Sequence, residues 1–458
     1  LQCATIFGNN VIVDLTYKEG QRVIYFPTDG QLSEEFANDN NLVRKKDENG
    51  NNIGGYLDPD KRNITALKLR GEKSDGLVLP IEVLSKYTDI TKLADGEQIT
   101  ILDGHEICRK YIPKSNQRSR DGGNGNKTRK VKVDIAPLFM EHVDTEQLAY
   151  NMNAFKNGDL VEITLKMHGT SQRTGHLLKV VEMRANNPLA SFGQFINPNQ
   201  KLGKARKWLR EYYETHCHPI YDWGYVTGTR RTVLNDYSGG YYGNNEFRKI
   251  HANSFEGKLF KGETVYYEVV GFTTTGVPIM GDAPNKKTND KEFIKQYGDI
   301  TRFSYGCSPE GCGEVESYWD DEETEPCIVK KIPQSDFYVY RMTMTNEDGN
   351  VVEYTPDYMR YRCEQMGVKC VPMFETFIIP EGVDAGSYVK EKAELYYDGA
   401  DPIGKTHIRE GVVCRIVNRP KFTAYKHKNF NFKCIEGIVK ANADVPDMEE
   451  AEELVANE

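Results

Sequence analysis

The chain has 458 residues, with 59 basic against 68 acidic side chains and a formal net charge of −9. That length allows two or three domains with real cores, and the overall acidity, taken alone, argues against a polyanion binder. No apolar run is long enough to span a membrane, and no secretory signal opens the chain.

The charge is unevenly placed, and local fields rather than the net meet a polyanion. From Ile107 to Val133 nine Lys or Arg stand against one acid, Asp121, and from Lys405 to Lys433 eight stand against Glu410 alone. From Ala441 onward there are seven acids and no base. The two basic stretches read as polyanion sites, with solvated surface charge as the plain alternative. Ten cysteines show no regular disulfide framework. Cys307, Cys312 and Cys327, with Cys217, could hold zinc. Their spacing is not a pair of Cys-x-x-Cys knuckles, so reduced thiols of a cytoplasmic protein are expected. The chain opens on Leu1 and not on Met, which leaves its true start open.

Residues 1–113 read as short strands: Asn10 to Leu15, Arg22 to Phe26, Ile64 to Leu69 and Gly76 to Val78. Gly- and Asn-rich breaks separate them, as in a small β-barrel. Arg62, Lys68, Arg70 and Lys73 either line a nucleic-acid face of that barrel or only solubilise it. Residues 114–130 are a basic Gly/Asn-rich linker that cannot bury enough apolar surface to fold by itself. Residues 131–440 form a second domain, and 441–458 an acidic tail.

In the second domain Glu146 to Phe155 has helical spacing, with Asp144 or Thr145 as its cap, just after His142. Leu160 to Leu165 alternates apolar and polar like a half-buried strand. Lys166 ends it, and Leu177 to Val181 reads as the returning strand. Lys166-Met167-His168-Gly169-Thr170-Ser171 is then a turn facing a cavity. A lysine buried among cations loses its proton more readily than in water and becomes a neutral amine nucleophile. Lys201 to Tyr213 reads as a basic helix with a solvated face. In Gly224 to Arg231 the adjacent Arg230 and Arg231 point opposite ways, and Arg230 is taken to face the cavity.

Thr264 to Val270 is strand-like and carries Glu268. Phe337-Tyr338-Val339-Tyr340 is another such run, its last ring either a ligand contact or core packing. Tyr354 to Met366 and Tyr388 to Leu395 look helical. Gly399 to Thr406 fits the phosphate-binding pattern G-x-x-x-x-G-K-[ST]. That loop needs a helix starting at its Lys-Thr, whereas Ile408 to Val417, around Glu410, is strand-like, so a plain turn is expected. Lys426 and Lys428 alternate and face one side of a strand. Glu436 to Lys440 reads as a closing strand.

Five pieces stand in fixed order: Lys166-Met167-His168-Gly169; the Glu268 strand; Phe337 to Tyr340; Glu410-Gly411-Val412-Val413-Cys414-Arg415; and Tyr425-Lys426-His427-Lys428. Together they resemble the nucleotidyltransferase motifs of covalent ligases and capping enzymes. They are most similar to those of ATP-dependent RNA ligases, over roughly Leu138 to Lys440. Phe26 to Ser33 and Leu69 to Leu77 resemble the N-terminal OB-like domain of the branch that includes the Deinococcus and Naegleria enzymes. The fold this implies is α+β: an OB-like β-barrel, then a nucleotidyltransferase domain of antiparallel sheets with flanking helices.

The resemblance implies that Lys166 takes AMP from ATP, that AMP passes to an RNA 5′-phosphate, and that a 3′-hydroxyl then displaces it. Lys426 and Lys428 would hold the α-phosphate, Glu268 the ribose, and Tyr340 the adenine. Arg173 and Arg230 would meet ribose or phosphate, and His168 and Gly169 would complete the nucleotide site. Glu410 would orient Mg²⁺ or Mn²⁺ through waters. Related enzymes often carry a glutamate before the lysine; here Leu165 stands there, which implies that adenine is read by backbone carbonyls. The expected partner is RNA with 3′-OH and 5′-phosphate ends, possible also as an RNA–DNA hybrid or duplex nick, met by a monomer. The alternatives are a capping guanylyltransferase or DNA ligase, and a non-catalytic RNA-binding protein. The first two usually place an OB domain after the Lys-x-Lys motif, where this chain has only 30 further residues.

Overall fold

A computed structural model describes residues 1–7, 9–28, 30–46, 52–69, 72–111, 134–143, 145–197, 203–234, 237, 242, 245–317 and 328–441. The expected linker, the acidic tail from 442, Asp144, Arg70 and Cys327 lie outside the described residues.

The larger part of the chain is built on two five-stranded sheets. Its principal strands are β1 (Leu160–Lys166), β2 (Thr170–Ala185), β3 (Cys217–Gly228), β4 (Glu263–Gly271), β5 (Ser335–Thr345), β6 (Met373–Ile378), β7 (Gly411–Ile416) and β8 (Thr423–Lys428). The first sheet runs β8-β7-β1-β6, with the short strand Glu146–Gln147 parallel beside β8. The second runs β3-β2-β4-β5 and ends on the short strand Val351–Glu353.

Alternation sets what each face of the first sheet carries. Val161, Ile163 and Leu165 of β1 pair with Ile416, Cys414 and Val412 of β7. Directly paired residues share a face, and most of these pack with Phe155, Val389 and Ala393 in one apolar core. The opposite face pairs Glu162 with Arg415, Thr164 with Val413 and Lys166 with Gly411. In the second sheet Val265, Tyr267 and Val269 of β4 point into a core shared with Phe247, Phe255 and Phe337. Between the sheets the chain crosses in only three residues, Met167 to Gly169. The expected hairpin at Lys166 is therefore corrected: β1 pairs with β6 and β7, and β2 with β3 and β4.

The helices follow local signals. They include α1 (Pro188–Gln194), α2 (Lys204–Thr215), α3 (Pro356–Met366), α4 (Ala385–Glu394) and α5 (Phe430–Ala441). Thr355 caps α3 by accepting from the Tyr358 N–H, and Gly367 ends it at φ 68°, a left-handed conformation that costs glycine little. Two expectations fail here. Glu146 to Phe155 forms two 3₁₀ turns, Leu148–Tyr150 and Met152–Ala154, because Glu146–Gln147 is drawn into pairing with Tyr425–Lys426. Glu436 to Lys440 lies in α5, not a strand: Asn429 follows β8 directly, and its Oδ1 accepts from the Phe432 N–H, starting a helix.

The Gly399 to Thr406 stretch is a turn. Asp401 Oδ2 accepts from the Ile403 and Gly404 N–H groups, and Ala400 bridges to Ile408 on the way into β7. No helix starts at Lys405-Thr406.

The N-terminal part has its own core around Phe26, Leu32, Phe36 and Leu84. Among the described residues its strands form six two-stranded pairs, and no sheet closes into a barrel. Two of the four residues expected on a barrel face, Arg62 and Lys73, have partners within the protein. Arg62 donates to the Leu32 and Pro59 carbonyls, while the Lys73 ammonium lies 5.0 Å from the Phe430 ring of α5. Asp75 makes an ion pair with Lys433 of α5, so this part grips the helix that follows β8.

Glu263 at the start of β4 is fully buried and accepts from Arg362 Nε and Nη2 and from Tyr354 Oη, at 2.8 to 3.0 Å. Arg362→Met leaves that carboxylate without its charge partner and is expected to lower unfolding free energy by about 3–5 kcal/mol. Urea denaturation checks this; the double change Glu263→Gln/Arg362→Met should cost less.

Candidate active site

Register brings the charged groups together. Lys166 ends β1 opposite Gly411, and Gly411 lies opposite Lys428 on β8. Glu410 immediately precedes that glycine. Its carboxylate is 2% exposed, and its Oε1 lies 2.8 Å from Lys166 Nζ and 3.2 Å from Lys428 Nζ. The second oxygen, Oε2, lies 3.7 Å from His168 Nδ1. Gly411 has φ 146°, and a Cβ there would run into the His427 carbonyl. Only glycine lets β8 close on β7 at the level of Lys166.

Beside this cluster opens a cleft of about 820 Å³, mouth included. Glu162, Thr164 and Lys166 line it from the first sheet, with Val413 and Arg415 across from them. Ser171, Glu268 and Tyr340 face it from the second sheet. The Tyr340 hydroxyl and Ser171 Oγ are 2.9 Å apart, and the His142 ring meets Tyr340 edge-on at 5.0 Å. The ring is thereby fixed as one wall. Arg230 also lines the cleft, beside His142, whose N–H donates to the Arg230 carbonyl.

His168 sits in an aromatic box. Its ring is 4.5 Å from Phe303 and 4.8 Å from Phe432, and its N–H donates to the Tyr305 hydroxyl at 2.7 Å. Gly169 packs so closely on β4 that any side chain would collide with Val269 and Val270. Lys426 shares the face of β8 that carries Lys428 and lies opposite Val413, a cleft residue.

Arg173 is placed differently from the expectation. It is 1% exposed and donates to the carbonyls of Phe139, Thr229 and Arg231, with its guanidinium 4.2 Å from the Phe139 ring. Burial pushes its pKa down. These bonds tie β2 to the segments around Phe139 and Arg230, so Arg173 supports the wall and does not line the cleft.

Magnesium keeps much of its water and takes one or two carboxylates plus substrate phosphates. Glu410 fits a water-orienting part in such a set, because lysines already occupy Oε1 directly. Among the described residues no three His, Cys, Asp or Glu converge as a metal cage. Cys217 and Cys307 are buried and form no disulfide.

Sequence reasoning did not assign Glu162, Arg360, Arg415 or Phe422, all of which line the cleft. Arg360 Nη1 lies 2.7 Å from Glu162 Oε2. Burial raises the Glu162 pKa, and the charge of Arg360 opposes that rise. Arg415 was readable: it stands two residues after Val413 on the same strand face. Arg360 was not, because its approach depends on how α3 packs.

His427 backs the two lysines on the opposite face of β8, and burial lowers its pKa to about 3; burial likewise lowers that of His251, beside Phe337, to about 4. Both fold neutral. Unfolded, each takes a proton near pH 6.5, so stability falls as pH drops below that value and goes on falling to the folded pKa. At pH 5 each costs about 2 kcal/mol. Replacing His251 with Gln is expected to shrink the loss of unfolding free energy between pH 7 and pH 5 by that amount, measured by urea denaturation at each pH.

No family model matches the chain, and no curated protein matches it. Among solved structures it is similar to the Naegleria gruberi RNA ligase. A lysine-to-alanine mutant of that enzyme with ATP and Mn aligns at TM-score 0.48 and 14% identity, covering 94% of this chain and 92% of that one. The same enzyme with PPi aligns at 0.48 and 14%, covering 96% and 93%. An apo aspartate-to-alanine mutant aligns at 0.48 and 15%, covering 94% and 91%.

Proposed function

We propose that the protein is an ATP-dependent RNA ligase that joins 3′-OH and 5′-phosphate ends through lysyl-AMP and RNA-adenylate. The observation that carries this reading is one buried carboxylate oxygen shared by two lysines, Lys166 and Lys428, at a cleft with an aromatic wall. An ion pair kept only for stability has no need of a second ammonium on the same oxygen or of a cavity beside it.

The chemistry follows from the pairing. For Lys166 Nζ to attack the α-phosphorus of ATP, the ammonium must give a proton to solvent water and leave Glu410. A buried carboxylate stripped of its only cation is costly. Lys428, on the same oxygen, keeps Glu410 compensated while Lys166 is used. The N–P bond forms as the bond to pyrophosphate breaks. The RNA 5′-phosphate then displaces Lys166 from AMP, and the 3′-hydroxyl displaces AMP from the RNA. Charge grows on phosphate oxygens in every step, and preplaced cations stabilise it; Lys426, Lys428 and Arg230 serve here. Magnesium, when bound near Glu410, adds further neutralisation of phosphate charge.

Tyr340 stacks the base, Glu268 holds the ribose, and His168 and Gly169 shape the turn that presents Lys166. Glu162 and Arg360 join the backbone as candidates for reading adenine in place of the glutamate that Leu165 replaces. The remaining reading has residues 1–113 as the OB-like, RNA-facing unit, residues 131–440 as the nucleotidyltransferase unit, and a monomer acting in repair of nicked or bridged RNA.

Incubation with α-labelled ATP and magnesium, then denaturing electrophoresis, tests the reading. Label is expected on the wild type and none on Lys166→Ala. Lys428→Ala should slow labelling by a factor on the order of 100 or more, as for removal of one preplaced charge-stabilising group. Label from GTP alone would move the protein to the capping class, and no label from either would leave only RNA binding.

A further inference from the structure

β2 and β3 leave the sheet as a long two-stranded arm, and α1 and α2 cap its end. Gly193 of α1 lies against the Leu209 carbonyl and Tyr213 of α2, so the two helices pack closely. Tyr213 Oη donates to the Met183 carbonyl and fastens the pair to β2. Since β2 starts at Thr170, the tip lies at most about 50 Å along the strand from the Lys166 turn.

This tip breaks two rules of an inert surface. Large apolar rings are turned outward: Phe192 is 69% exposed, Phe195 86% and Trp208 53%. Trp208 is also the outer member of an ordered stack, 5.5 Å from Tyr212, which lies 3.9 Å from His216. The stack ends on an open indole face. Second, the first turn of α2 holds no acid and no side-chain cap. It carries Lys204, Arg206 and Lys207, all exposed, where the helix dipole disfavours cations. Lys207 approaches Glu211 at 4.0 Å, but among the described residues Lys204 and Arg206 have no carboxylate partner. A solvated face would not combine an open aromatic stack with misplaced positive charge. An apolar protein partner would have to bury those two unpaired cations at a cost. A single-stranded polynucleotide satisfies both features, because bases stack on rings and phosphates neutralise cations.

We propose that the tip of the arm binds unpaired nucleotides of the RNA substrate, with a base stacked on Trp208 and phosphates held by Lys204 and Arg206. The proposal rests on the ligase reading and adds where RNA is held away from the reacting ends.

The test is binding of the full chain to a fluorescently labelled, 5′-phosphorylated single-stranded RNA long enough to bridge arm and cleft. It is read by anisotropy over a salt series, beside nucleotide labelling of Lys166. Trp208→Ala should weaken RNA binding roughly 5- to 150-fold, the share of one stacked base, and Trp208→Phe should recover part of it. Lys204→Gln/Arg206→Gln should reduce the slope of log affinity against log salt by about 1.4, two single-strand phosphate contacts. Neither should change nucleotide labelling. Unchanged RNA affinity and salt slope in both variants, with labelling intact, would overturn the proposal and leave the ligase reading standing. Loss of an oligomer in Trp208→Ala at unchanged RNA affinity would overturn it too, marking a protein interface. RNA binding that depends on the arm in a protein that never labels would uphold the arm and sink the ligase reading.

Discussion

A single carboxylate oxygen, held between two ammonium groups, governs the site. Glu410 is buried where an unpaired charge could not stay, and Lys166 and Lys428 both reach its Oε1. Either lysine would satisfy the charge. With both present, either one can move away while the other keeps the carboxylate neutralised. Much else in the larger part serves to bring these three side chains from three separate stretches to one point.

The sheets do this through register. The side-chain period of a strand is two, so pairing fixes which residues share a face. Gly411 sits between Lys166 and Lys428 in the ladder, and its missing side chain lets the strands close there. The short crossing from β1 to β2 then swings the chain into the second sheet, where Glu268 and Tyr340 wait across the cleft. Arg173 holds the second wall from behind by three carbonyls. Buried arginines used in this way are positional parts, and their value lies in what they keep still.

Much of the site was legible because alternation and motif order are local signals. The strands carrying Lys166, Glu268, Tyr340 and Lys428 were all readable as strands, and Tyr354 to Met366 as a helix. The failures have more than one cause. Glu146–Gln147 pairs with β8, a tertiary contact that overrides helical spacing; at α5 the Asn429 cap is itself a local signal, and it sets Glu436 to Lys440 in a helix although that stretch echoes the Glu410 strand. The Lys166 turn looked like a hairpin because the sequence cannot tell a return to the same sheet from passage to another. Arg173 resembled a ligand residue by spacing, yet its burial among carbonyls depends on segments far away in the chain.

The ladder at Gly411 also limits how this protein can change over generations. A one-residue insertion that shifts β8 against β7 would turn His427 and Tyr425 toward the cleft and drive both lysines into apolar packing. Length variation within the strands that carry Lys166 and Lys428 would therefore scramble the charge cluster, whereas the end of the β2–β3 arm lies outside that ladder.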